Sequence, residues 1–189
     1  MIKNFIIVDN IIKDPDLVRN SFLKEKYYCN EEFRLDGIDY YDESLEKPKG
    51  CWRGFRTEDL TLKYPDRARK LLNRIVSDAI GKRVETKGEM YGHISTTLMT
   101  GKIKKHEGWH QDTGNLLAGV VYLSEAPGYD SGTWIKINGK IRKIENRFNR
   151  LLMYRADLLH TPGNFFGDTA CNSRLTLTFF INTLCIFNK

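Results

Sequence analysis

The sequence predicts a mainly β chain with N-terminal helices, an α+β protein whose strands form a sandwich or barrel. Three observations carry that expectation. The hydrophobic period changes from about 3.6 to about 2 just past Gly81. The segments that follow are short, alternating and separated by turn residues. One turn, Asn138-Gly139 between Ile137 and Lys140, is the residue pair that a tight type I′ hairpin requires. Several short strands with tight turns favour a sandwich or barrel over a parallel α/β sheet.

The elements follow in order. The apolar run Phe5-Ile6-Ile7-Val8, stopped by Asp9, reads as a first strand. It is too short for a signal-peptide core or a membrane span. Asp14-Pro15 is a helix start, with Asp14 at the N-cap and Pro15 at the first helical position. That helix is expected to run to about Lys26, with Leu17, Val18, Phe22 and Leu23 as its apolar stripe. Residues 27 to 57 show no clean period and end in Cys51-Trp52-Arg53-Gly54-Phe55-Arg56. A second helix begins near Pro65, carries Leu71, Leu72, Ile75, Val76, Ala79 and Ile80 on one face, and stops at Gly81. Strands are then expected at Glu89 to Met99, Leu116 to Leu123, Thr133 to Ile137, Lys140 to Ile144, Leu151 to Tyr154 and Arg174 to Thr183. The division is one domain over 1–189, in which a helical and irregular part, 1–82, packs on a β core, 83–184.

Composition permits this. Of 189 residues, 41% are hydrophobic and 12% aromatic, enough to build a core, and no repeat or low-complexity tract interrupts it. Cys29, Cys51, Cys171 and Cys185 are scattered without a CxxC pair, so they read as reduced thiols of a cytoplasmic protein. The net charge of +6 comes from singly placed cations such as Lys102, Lys104, Lys105, Arg142 and Lys143. A solvated surface explains it, and a polyanionic partner such as nucleic acid is the alternative.

The chemistry concentrates in few residues. His110-Gln111-Asp112 puts an imidazole and a carboxylate at i and i+2, which share a face on an extended strand. His160 offers a second imidazole on a distant segment. Two histidines and one carboxylate on one side of a metal make the facial triad of non-haem iron(II), with positions left open for a chelating co-substrate and dioxygen. Beyond them, the strand from Arg174 splits by period into Arg174, Thr176, Thr178 and Phe180 on one face and Leu175, Leu177, Phe179 and Ile181 on the other. The polar face is either a solvent face or a barrel interior where a guanidinium fork holds a carboxylate.

In this order, the segment from about Glu89 to Asn182 resembles the 2-oxoglutarate/iron(II) oxygenase superfamily, in particular its prolyl 4-hydroxylase-like branch. Gly108-Trp109-His110-Gln111-Asp112 resembles the metal-binding turn, and Val120-Val121-Tyr122-Leu123-Ser124 the strand after it. Gly128-Tyr129-Asp130-Ser131-Gly132-Thr133 stands where the family has a Gly-Gly-x-Thr turn, here with Ser for one Gly. Leu158-Leu159-His160 resembles the distal-histidine turn, and Arg174-x-Thr176 the family's basic residue plus hydroxyl. The resemblance implies a double-stranded β-helix (jelly-roll) core and a dioxygenase that hydroxylates its substrate while 2-oxoglutarate is decarboxylated to succinate. It also implies iron on His110, Asp112 and His160, and 2-oxoglutarate on Arg174, assisted by Thr176 and the Tyr122 hydroxyl, with Thr97 and Met99 beside the pocket. Trp109, Trp134 and Trp52 are candidate substrate contacts. The prime substrate, small molecule or peptide, lies with the loops at 27–62 and Ala126 to Thr133 and is not named by the sequence.

Rival readings remain. His106-Glu107-Gly108-Trp109-His110 spells the zinc-protease motif HExxH, which works only on a helix, and Gly108 at its centre is a poor helix former. A metal-binding cupin-like barrel that does not use 2-oxoglutarate would have no need of Arg174. A nucleic-acid module would interleave aromatics with cations, for which Trp52-Arg53-Gly54-Phe55-Arg56 is the only candidate string.

Overall fold

The computed structural model describes residues 4–29, 39–40, 54–97 and 108–187. Its elements are β1 (Phe5–Asp9), α1 (Pro15–Phe22), β2 (Lys26–Cys29), β3 (Asp39–Tyr40), β4 (Phe55–Arg56), α2 (Leu60–Lys63) and α3 (Pro65–Ile80), followed by β5 (Val84–Ser95), β6 (Leu117–Tyr122), β7 (Thr133–Ile137), β8 (Lys140–Ile144), β9 (Arg150–Arg155), β10 (His160–Pro162) and β11 (Arg174–Ile186). Eight strands form one sheet in the order β1-β9-β6-β11-β5-β4-β2-β3, and three form a second, β10-β7-β8. All pairings are antiparallel except β2 with β3. This is the expected jelly roll, mainly β with helices near its N-terminus.

The large sheet is covered on both faces, and strand period decides which side chain goes where. Leu175, Leu177, Phe179 and Ile181 of β11 join Val121, Leu151 and Met153 in one cluster with Phe22 of α1 and Leu72, Ile75 and Val76 of α3. The last three are 1% exposed or less, and such burial contributes about 1.5–3 kcal/mol for each side chain. On the opposite face, Ala118, Val120, Tyr122, Leu152 and Tyr154 pack with Ile135 and Ile144 of the small sheet. Strand β6 is therefore buried at every position and reads as a continuous apolar run. Within it, Gly119 pairs with Phe179, and a Cβ at Gly119 would meet the Phe179 ring at 2.1 Å. Phe179 is fully buried and cannot yield. Gly119→Ala is expected to cost about 1–3 kcal/mol, read as a lower denaturant midpoint with unchanged slope.

Several expectations hold to the residue. β7 and β8 have the predicted bounds, and Asn138 and Gly139 both take positive φ, 48° and 76°. Gly81 ends α3 in the left-handed conformation at φ 71°, with its N–H donating to the Ser77 carbonyl. Others are corrected. α1 stops at Phe22, four residues before Lys26, because Tyr27 is needed in β2, where it is fully buried and its hydroxyl donates to the Phe22 carbonyl. Leu17 is 69% exposed, outside the apolar stripe, while Arg19 is buried and donates to the Cys171 carbonyl. Asp14 makes no side-chain cap bond. β5 begins at Val84 and ends at Ser95, earlier at both ends than expected, and the irregular stretch before α3 supplies β2, β3, β4 and α2. Asp59 ties α2 to β5, accepting from the N–H groups of Thr61 and Met90. Among the described residues no helix is long and apolar enough to cross a membrane.

Candidate metal and co-substrate site

His110 and His160 meet as a lone antiparallel bridge, each N–H donating to the other's carbonyl at 2.9 Å. Residues opposed in this way send their side chains to the same face, so the two imidazoles lie together, ring centroids 4.3 Å apart. The Asp112 N–H donates to the Ala156 carbonyl at 2.9 Å and fixes the chain two residues on. Its carboxylate then lies 3.7 Å from His110 Nε2 and 3.4 Å from His160 Nε2. One donor atom from each of the three residues falls within 4.8 Å of the others. The shared face expected for His110 and Asp112 is present, although it is set by two backbone contacts on a turn, not by a regular strand.

Hydrogen bonding also fixes the tautomers. His110 Nδ1 lies 2.8 Å from the Gly108 carbonyl, and His160 Nδ1 lies 2.9 Å from the Leu158 carbonyl. A carbonyl oxygen only accepts, so each Nδ1 carries a hydrogen, and each Nε2, turned toward Asp112, is the nitrogen left to meet a metal. Burial holds the His160 imidazole below its ordinary pKa, while the Asp112 charge acts the other way. The Tyr154 hydroxyl donates to Asp112 Oδ2 at 3.4 Å, and its ring packs 4.6 Å from that of His160. Burial, and then the Asp112 charge, push this hydroxyl well above the usual range, so it stays a donor. Two imidazoles and a carboxylate, each with a second partner fixing its orientation, suit a divalent ion such as iron(II) with open positions on one side. His110 supplies the open side: its side chain is 52% exposed, against 5% for His160.

Behind the triad lies a cavity of about 330 Å³, in the range that holds a small ligand. Register stacks the side chains of the large sheet in rows across it. Ser95 stands opposite Arg174; next come Arg56, His93, Thr176 and Tyr122; then Tyr91, Thr178, Val120 and Leu152; then Glu89, Phe180, Ala118 and Tyr154. Arg174 lines the deep end. It is only 4% exposed, and its Nε donates to the Ser131 carbonyl at 2.9 Å and its Nη2 to the Gly132 carbonyl at 3.4 Å. Burial pulls its pKa down, and the Tyr122 hydroxyl acts against that. Among the described residues no carboxylate lies within ion-pairing distance of this guanidinium. A buried cation so placed is strongly disfavoured until an anion joins it.

The other candidate residues divide. Tyr122 is fully buried against the Arg174 guanidinium and donates to Thr133 Oγ1 at 2.7 Å. The Thr176 hydroxyl lies 3.4 Å from the His93 carbonyl and 3.3 Å from Thr178 Oγ1, and Thr178 lines the cavity in its stead. Thr97 is exposed and away from the cavity, because β5 ends at Ser95 and the Thr97 hydroxyl donates to the Gly167 carbonyl at 2.7 Å. Trp134 also points away: Thr133 faces inward, so its neighbour turns out to meet Asp130 and Lys143. Trp109 is partly buried but does not line the cavity, although Gly108 and His110 on either side do. Met99 and Trp52 lie outside the described residues, as do His106 and Glu107. Of the HExxH string, Gly108 is in a turn and His110 in the bridge, so neither sits on the helix that a zinc protease requires. Ser95, Arg56 and Tyr154 also line the cavity, and of these reasoning from sequence gave Tyr154 no role at the site. Their period put them on strand faces, but only the pairing register shows that those faces meet here.

No protein-family model matches the chain, and no curated protein does. Solved structures share its fold. HygX from Streptomyces hygroscopicus, solved with nickel and 2-oxoglutarate bound, superimposes with a TM-score of 0.55 at 14% identity, over 94% of this chain and 82% of that one. The non-haem α-ketoglutarate-dependent epimerase SnoN from nogalamycin biosynthesis gives 0.53 at 12% identity, over 98% and 80%. A prolyl hydroxylase from Trichoplax adhaerens, in complex with a peptide fragment of the hypoxia inducible factor oxygen degradation domain, gives 0.50 at 15% identity, over 94% and 83%. At these identities the likeness fixes the fold: a double-stranded β-helix shared with 2-oxoglutarate-dependent oxygenases.

Proposed function

We propose that this protein is an Fe(II)- and 2-oxoglutarate-dependent dioxygenase that hydroxylates a substrate while 2-oxoglutarate is decarboxylated to succinate. The observation that carries the proposal is one cavity holding a His-Asp-His cluster at its mouth and a buried guanidinium at its deep end. In this reading His110, Asp112 and His160 hold the iron. Iron bound there supplies a Lewis-acid and redox centre for the keto acid and dioxygen. Every other contribution belongs to the protein. Arg174 takes the distal carboxylate of 2-oxoglutarate, its fork aimed by the Ser131 and Gly132 carbonyls. Tyr122, whose hydroxyl is held by Thr133, packs against that guanidinium. Tyr154 holds Asp112 in place, and the Gly108 and Leu158 carbonyls hold the two imidazoles in the ligating tautomer. Val120, Phe165 and Phe180 keep the cavity wall apolar, which strengthens each charged contact inside.

A metal-binding barrel that does not use 2-oxoglutarate would leave the Arg174 charge buried without purpose. Both a peptide-bound hydroxylase and an epimerase of a biosynthetic pathway share the fold, so a peptide or a small molecule is the substrate class. The described cysteines, Cys29, Cys171 and Cys185, are free thiols, which supports a reducing, cytoplasmic setting.

The test is anaerobic titration of the apoprotein with Fe(II) and then with 2-oxoglutarate. A metal-to-keto-acid charge-transfer band in the visible should grow to one equivalent and be absent with succinate. An unchanged spectrum at saturating 2-oxoglutarate would refute the proposal.

A further inference from the structure

The hairpin β7–β8 carries charge that the fold does not use. Between Asp130 and Glu145 the chain has four cations, Lys136, Lys140, Arg142 and Lys143, and no acid. All four are exposed. Lys143 pairs with Asp130, while Lys136, Lys140 and Arg142 have no ionic partner among the described residues. Glu145, at the end of the ribbon, is engaged by Arg150 at 3.4 Å. Cations on an edge strand such as β8 keep two sheets from pairing. That role asks nothing of Lys136, which stands on the inner strand β7.

Register adds aromatic surface to this charge. Trp134 stands opposite Lys143 and Lys136 opposite Ile141, so these four side chains share the face turned away from the cavity. The Lys143 ammonium lies 4.4 Å from the centroid of the Trp134 ring, and Asp130 joins the two, accepting from Trp134 Nε1 at 3.2 Å. Tyr129, next to Asp130, is 91% exposed, so its ring contributes nothing to the core. Three kinds of anionic partner meet surfaces of this charge, and the side chains choose among them. A membrane surface needs apolar side chains to bury, and the tip of this hairpin is Asn138-Gly139. An acidic peptide gains nothing from a bare tyrosine ring. A single-stranded nucleic acid uses both features, its phosphates on the cations and an unstacked base on the ring. Cross-strand pairing, and no single string of the sequence, interleaves the cations with aromatics here.

We propose that the β7–β8 hairpin and Tyr129 form a docking surface for single-stranded nucleic acid. The surface lies outside the cavity, and its test does not depend on the oxygenase reading. The whole chain, metal-free, is titrated into a fluorescein-labelled oligothymidylate and followed by anisotropy at several salt concentrations. Log affinity should fall linearly with log salt. Lys136→Glu/Lys140→Glu/Arg142→Glu should lower affinity more than about tenfold and cut the salt slope by about 2, since each phosphate contact contributes about 0.7. Tyr129→Ala should weaken binding roughly five- to a hundredfold, the value of one stacked base, and Tyr129→Phe should restore it. Arg67→Glu/Arg69→Glu/Lys70→Glu, on exposed positions of α3, changes the net charge equally and should lose far less affinity. Melting curves check the fold of each variant, and if the hairpin variant does not fold, the two Tyr129 variants decide. Equal losses in the α3 and hairpin variants would reduce the binding to net charge and overturn the proposal. So would no binding at low salt, or full affinity in Tyr129→Ala. Polyglutamate or phosphatidylserine vesicles competing as well as unlabelled oligothymidylate would overturn it too, in favour of an acidic peptide or a membrane.

Discussion

Asp112→Ala is expected to abolish 2-oxoglutarate turnover and to lower Fe(II) affinity by more than about 100-fold. Loss of a partner that merely orients a ligand costs roughly 10–100-fold in metal affinity, and Asp112 is itself a ligand in the proposed site. Among the described residues it is also the only carboxylate of the cluster, accepting from Tyr154 and standing 3.4 and 3.7 Å from the two Nε2 atoms. His110→Ala and His160→Ala should abolish turnover equally, yet they should differ in stability. His160 is buried between Asp112 and Tyr154, so its loss leaves a void and lowers the unfolding temperature. The half-exposed His110 side chain can be removed with little effect on unfolding. Metal content after equilibrium dialysis, keto-acid consumption and a melting curve for each variant check all three. Full Fe(II) binding by Asp112→Ala would end the iron assignment.

That prediction was legible before any coordinates, because its residue types carry their own chemistry. Histidines are few, 4 among 189 residues, and an arginine with two threonines on one face of a strand whose other face is wholly apolar is conspicuous. The faces of β11 were equally legible, since period 2 alone separates Arg174 and Thr178 from Leu175 and Phe179. Trp134 was read as a substrate contact, although period 2 sets it on the face opposite Thr133 and Ile135, which turn inward. What alternation cannot give is register. Tyr154 reaches Asp112, and Arg56 enters the cavity, only because β9 and β4 are paired at particular offsets across the sheet. Strand ends were read less well for a related reason. Thr97 would face the cavity if β5 continued, but the chain leaves the sheet at Ser95 to bond Gly167, a contact that no local pattern announces.

Arg174→Met should raise the Kd for 2-oxoglutarate by more than about 30-fold, because truncating one partner of a buried charge pair costs about 2–5 kcal/mol. The same substitution should leave the metal-free, ligand-free protein nearly as stable as wild type, and this contrast marks the arginine as a binding group and not a structural one. In the unliganded protein the guanidinium is desolvated without a carboxylate among the described residues, so its removal relieves a penalty. Against that stands the loss of its bonds to the Ser131 and Gly132 carbonyls, each contributing about 1 kcal/mol. The two effects oppose each other, and methionine fills the volume. Ligand-induced stabilisation then separates the variants. Saturating 2-oxoglutarate should raise the melting temperature of the wild type, since it binds the folded state alone. It should leave Arg174→Met unmoved at the same concentration. A melting temperature that collapses in the variant without ligand would instead make Arg174 a structural strut of the Ser131–Gly132 turn.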